Sequence, residues 1–208
     1  MRQLVLAISP PAEPSFESFV AGRNEELLAR LEDLAAGKLA ETIVYIWGER
    51  GSGRTHLLGA TRRFAVQPSR ITIADDVDAL DAEAQVALFN RINEIRVAPA
   101  AAATLLAAGC APPAQLALRD DLKSRLAWGL VYQVHTLTDE EKATYLREEA
   151  ARRGLRISDE VVAYLLAHVR RDLPTLVSIL AHLDEYSLSR QRPLSLPLVR
   201  EALAALAG

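Results

Sequence analysis

Apolar residues recur at helical spacing over residues 24–35, where Leu27, Leu28, Leu31, Leu34 and Ala35 share one face. The spacing predicts a helix capped by Asn24, with Glu25 and Glu26 at its positive end and Gly37 as its stop. A continuous apolar run at 42–47 predicts a buried strand, followed by a glycine-rich turn and a helix to about Phe64. A shorter run at 71–74 ends in Asp75 and Asp76. Residues 83–97 read as a helix with Val86, Leu88, Phe89, Ile92 and Ile95 in its buried stripe, and 104–108 as a buried strand. After Pro112 and Pro113 come a short helix at 118–126 and a strand at 130–134. Strands alternating with helices argue for a parallel sheet covered on both faces. From Thr138 the pattern turns all-helical. Thr138 with Glu141 forms a capping box, Gly154 stops that helix, Ser158 and Asp172 open the next two, and a last helix starts near Pro197. Pro174 is tolerated because it lies in a first turn. The expected organisation is a tail and tether over residues 1–14, an α/β subdomain over 15–136 and a helical lid over 137–208.

Composition narrows what such a chain does. Half of the 208 residues are hydrophobic, enough for a sizeable core. Lys and Arg number 24 against 27 Asp and Glu, and a net charge of −3 lacks the footprint of a dedicated DNA binder. Cys110 is the one cysteine, so no internal disulfide forms; it is expected to be a buried thiol in a reducing, cytoplasmic setting. The N-terminal apolar run is too short for a signal sequence or a membrane span. His56, His135, His168 and His182 have no metal-ligand spacing.

The chemistry is concentrated in Gly48-Glu49-Arg50-Gly51-Ser52-Gly53-Arg54-Thr55. Strand, glycine turn and helix in that order converge backbone N–H groups on an anion, as a phosphate-binding loop requires. The pattern G-x-x-x-x-G-K-[ST] is matched except that Arg54 stands in place of lysine. Asp75 and Asp76, after the next apolar run, fit a Walker B element. Asp75, with Thr55, would hold Mg²⁺ and Asp76 would polarise a water. The alternative is a polar turn, Asp75 to Asp78, capping the next helix. At the N-terminus, Gln3, Leu4, Leu6 and Ile8 precede a polyproline-like spacer at 10–14. This reads either as an edge strand or disordered end, or as a docking peptide on a stiff tether.

Together the phosphate loop, the Asp75-Asp76 pair, the segment Leu122-Lys123-Ser124-Arg125-Leu126-Ala127-Trp128-Gly129-Leu130 and the helical lid resemble the AAA+ module of the replication initiator DnaA. Phe19-Val20-Ala21-Gly22-Arg23-Asn24 is similar to that family's N-terminal box, which lies near the adenine. No helix-turn-helix domain is expected after the lid, and the tail resembles a sliding-clamp-binding motif. The combination is similar to the Hda family of DnaA regulatory inactivators.

The resemblance implies a protein that, bound to the DNA-loaded sliding clamp through Gln3, Leu4, Leu6 and Ile8, stimulates hydrolysis of ATP held by DnaA. DNA is then reached only through the clamp, and a homo-oligomer is one assembly such a module allows. Arg125 would be an arginine finger acting in trans; read without the family, it is a surface partner for Asp120 or Asp121. The same resemblance places ADP or ATP, with Mg²⁺ on Thr55 and Asp75, against Gly48, Gly51, Ser52, Gly53, Arg54, Thr55, Asp75, Asp76, Val20 and Gly22. Arg54 departs from the family pattern. Pro174 occupies the lid's sensor-arginine position, with Arg170 and Arg171 nearby but in the wrong register, and residues 108–110 supply little polarity at the other sensor. About fifteen residues separate Thr55 from Ile71, too few for the usual extra strand and helix, so an edge strand is expected to be missing. The expectation is a module with weak or absent ATPase activity of its own. Rival readings are an autonomous P-loop ATPase or kinase, and a nucleotide-independent adaptor between clamp and initiator.

Overall fold

The computed structural model describes residues 13–97, 103–169 and 172–206. They form two compact units, divided between Thr136 and Leu137. The first is built on a four-stranded parallel sheet with the order β2-β3-β1-β4, where β1 is Ile43–Trp47, β2 Ile71–Ala74, β3 Thr104–Gly109 and β4 Leu130–Gln133. Val44 of β1 lies between Leu106 and Leu130. Beyond Thr104 the central strands carry only apolar, aromatic or glycine residues, because both faces are covered.

Side-chain alternation sorts the core into two layers. Ile43, Tyr45, Leu105 and Ala107 pack with Leu88, Ile92 and Ile95 of α3 (Ala82–Val97) and with Leu122 and Leu126 of α4 (Asp120–Leu126). Val44, Ile46, Leu106 and Ala108 face the other way. They meet Leu27, Leu31 and Leu34 of α1 (Glu25–Ala35) and Leu57 and Leu58 of α2 (Arg54–Phe64). Burying each such leucine stabilises the fold by about 1.5–3 kcal/mol before entropy is counted. Val86 departs from the expected stripe and is 39% exposed.

The missing edge strand is borne out. Between α2 and β2 there is only a short 3-10 turn, Pro68–Arg70, and β2 forms an edge of the sheet. Asn24 corrects another expectation, since its side chain caps nothing. It is buried, donates to the carbonyls of Ala21 and His135, and accepts from the His135 N–H at 2.7 Å. That exchange ties the start of α1 to the chain just after β4, a pairing across 111 residues that helix signals do not register.

The second unit is helical, with α5 Asp139–Arg152, α6 Asp159–His168, α7 Leu173–Arg190 and α8 Leu196–Leu206. Thr138 and Glu141 form the reciprocal capping box, and Ser158 and Asp172 cap α6 and α7. Leu146, Leu165, Leu176, Leu180, Leu183 and Val199 are among its fully buried core. No helix among the described residues is long and apolar enough to cross a membrane.

Candidate functional site

The glycine loop leaves β1 at Trp47 and enters α2 at Arg54. Gly53 has φ +99°, a conformation costly for other residues, and a Cβ there would lie 2.7 Å from the Phe19 ring. The Phe19 ring therefore lies against the loop, and Val20 and Gly22 follow it in the chain.

Two side-chain pairs cross from α2 to the end of β2. Thr55 Oγ1 donates to Asp75 Oδ2 at 2.7 Å, and Arg54 Nη2 lies 3.3 Å from Asp76 Oδ1. Asp76 has the left-handed φ of 44°, which aspartate tolerates better than most residues, and its N–H donates to Asp75 Oδ1. The acids at this turn thus serve the loop; the cap of α3 comes instead from Asp81, which accepts from the Ala84 N–H.

Ser52 Oγ and Arg54 Nη1 are buried without a hydrogen-bond partner. Orphaned buried donors carry a desolvation cost, and both lie in a loop shaped for an anion. The residues present therefore fit a nucleotide's phosphates, and the Thr55 and Asp75 oxygens fit Mg²⁺. Among the described residues no group of three or more His, Cys, Asp and Glu could hold a metal by itself.

Beyond β3, Asp78 Oδ1 accepts from the Cys110 N–H at 2.8 Å. Partial burial opposes its charge, but the hydrogen bonds from Cys110 prevail and hold the carboxyl below its ordinary range. Cys110 is exposed, which corrects the expected buried thiol, because β3 ends at the buried Gly109 one residue before it. Partial desolvation and the Asp78 carboxylate push that thiol up, away from the nucleophilic form. Tyr45 donates to the Ala111 carbonyl and is raised by burial first and then by the Asp78 charge.

Arg125 projects from α4 into an aromatic setting. Its guanidinium carbon lies 3.8 Å from the centre of the Trp128 ring and 5.3 Å from that of Phe89, and its Nε donates to Asn93 Oδ1 at 3.2 Å. Among the described residues it has no ion pair. Asp120 pairs with Lys123 and Asp121 with Arg119 at 2.7 Å, so neither acid serves Arg125. Asn93 and Phe89 were not legible as partners, since they come from α3, some thirty residues away. Gln3, Leu4, Leu6, Ile8, Arg170 and Arg171 lie outside the described residues.

The family described as "Hda, lid domain" matches residues 139–203. An uncharacterised protein of Haemophilus influenzae is 32% identical over 97% of this chain and 98% of its own length. Domain III of the replication initiation protein DnaA from Thermotoga maritima superposes with a TM-score of 0.69 at 20% identity, covering 96% of this chain and 99% of that one. AMPPCP-bound DnaA from Aquifex aeolicus gives a TM-score of 0.67 at 20% identity over 86% of this chain and 68% of that one. The Thermotoga maritima RuvB branch migration motor gives 0.63 at 14% identity, over 92% and 72%.

Proposed function

The chain belongs to the Hda family of DnaA-related AAA+ proteins, and from that premise we propose that it inactivates the initiator by stimulating hydrolysis of the ATP that DnaA holds. The observation that carries this reading is Arg125, a guanidinium held by Trp128, Phe89 and Asn93 with no carboxylate to neutralise it among the described residues. Inserted beside a nucleotide on another subunit, such a group stabilises charge developing on the transferring phosphoryl oxygens, an effect of about 10³–10⁵ in rate in related systems. Gln3, Leu4, Leu6 and Ile8 dock the chain on the DNA-loaded sliding clamp, so DNA is reached through the clamp.

The chain's own loop has a supporting role. Gly48, Gly51, Ser52, Gly53 and Arg54 would hold the phosphates of ADP, Thr55 and Asp75 a Mg²⁺, and Val20 and Gly22 would lie by the base. A nucleotide bound there supplies order to the module. Arg54 is already paired with Asp76, the residue suited to polarise a water, and this disfavours turnover of ATP. The same pairing argues against an autonomous ATPase. A hydrolysis assay reconstituted from initiator, clamp and DNA, comparing wild type with Arg125→Ala, tests the proposal.

A further inference from the structure

Arginine is long and flexible, and an exposed guanidinium on a helix end ordinarily samples many rotamers. Arg125 does not have that freedom. Its Nε is engaged by Asn93, its guanidinium carbon lies over the Trp128 ring, and Phe89 borders it. A guanidinium carries five N–H donors, one on Nε and four on the Nη nitrogens. The Asn93 bond uses the first. The other four have no hydrogen-bond partner among the described residues and stay available to an anion.

Trp128 is also unusual in itself. It is 44% exposed, a costly placement for a large aromatic surface, and Arg96 approaches its ring as well, at 4.3 Å. Its backbone is fixed: the Trp128 N–H donates to the Arg125 carbonyl at 3.2 Å, and Gly129 beside it packs on the Ile43 backbone. The indole therefore stands on an anchored backbone at the turn between α4 and β4, with Arg125 and Arg96 both against its ring.

We propose that Trp128 is a positioning residue for Arg125, holding its guanidinium in the orientation that meets the partner's nucleotide, with Asn93 fixing rotation about Nε. This rests on the finger reading of Arg125. It adds a residue that does not touch the reacting atoms and sets how many finger conformations are productive. The loss of such positioning lowers the catalytic step and leaves partner binding unchanged.

The test uses the full chain in the reconstituted assay with initiator, clamp and DNA, comparing wild type, Arg125→Ala, Trp128→Leu and Trp128→Phe. Leucine keeps apolar bulk without a π face. Trp128→Leu is expected to lower the maximal stimulated rate about fivefold or more, with the concentration giving half-maximal stimulation unchanged, and Trp128→Phe to stay within about threefold of wild type. Loss in Arg125→Ala together with full activity in Trp128→Leu overturns the positioning role and leaves the finger reading standing. Full activity in Arg125→Ala overturns both. Equal loss in the Leu and Phe variants also overturns the proposal, because retention of an aromatic face should rescue.

A second readout needs only the isolated protein. Arg125→Ala is expected to shift the tryptophan emission, and that shift is expected to vanish in a Trp128→Phe background. An unchanged emission on Arg125→Ala would show that the stack is not held in solution, and would overturn the proposal whatever the stability of the leucine variant.

Discussion

Arg54 Nη2 lies 3.3 Å from Asp76 Oδ1, so the cation of the glycine loop is bound to the second acid after β2. The Asp76 side chain is 63% exposed, and an ion pair with so exposed a partner contributes little to stability. Its consequence lies in binding. Arg54→Ala is expected to weaken ADP binding about tenfold or more, through loss of a charge-assisted contact to phosphate. Asp76→Asn is expected to free Arg54 and tighten ADP binding about threefold. Calorimetric titration of the two variants decides the matter; affinities unmoved in both would remove Arg54 from the site.

Close approach of backbones makes Gly129 the most demanding glycine near the finger. A Cβ there would fall 1.9 Å from the Ile43 carbonyl oxygen, a rigid atom that cannot turn aside. Gly129→Ala is expected to cost about 1–3 kcal/mol, read as a lower melting temperature by calorimetry. A variant as stable as wild type would mean that β4 does not start against β1 as described.

In the helical unit, Glu149 accepts from Arg152 Nε at 2.9 Å and from Arg153 Nε at 2.8 Å. Burial works against its charge, but the two arginines outweigh it and hold the carboxyl below its ordinary range. A depressed folded pKa contributes stability that is present above the unfolded value, about 4.3, and lost as pH falls through the folded value. Glu149→Gln is therefore expected to destabilise by about 1 kcal/mol at neutral pH and by nothing in acid below the carboxylate range. Denaturant melts across pH check this, and a pH-independent difference would refute it.

Much of this fold is written in periodicity, and the exceptions have a common physical cause. The strand and helix runs, the capping box at Thr138 and the shortened segment before Ile71 are local patterns, and each is present in the structure. The misreadings are tertiary. Asn24 has the chemistry of a cap, but its amide is used by His135. Cys110 follows a buried run, but the strand ends one residue earlier. The alternative for Arg125, a pairing with Asp120 or Asp121 suggested by their nearness in sequence, fails for the same reason: Lys123 and Arg119 take those acids, and its own partner Asn93 comes from another helix. The Trp128 stack had a local trace, an aromatic three residues after the arginine at the end of a helix, where the two side chains can meet.

Residues 1–8 carry the clamp assignment. Their removal is expected to abolish binding to the sliding clamp while the melting of the remaining chain stays unchanged, as a docking role for that segment requires. Surface-captured clamp titrated with full-length and truncated protein measures it. Undiminished binding would contradict the docking role of Gln3, Leu4, Leu6 and Ile8.

The finger role of Arg125 is tested most directly by the rate at which DnaA-bound ATP is hydrolysed with clamp and DNA present, for wild type and for Arg125→Ala. The expected result is a fall of about 10³-fold in the stimulated rate, to the initiator's basal level, with clamp binding unchanged. Stimulation at the wild-type rate by Arg125→Ala would contradict the finger, and would favour an adaptor that links clamp and initiator without supplying a catalytic group.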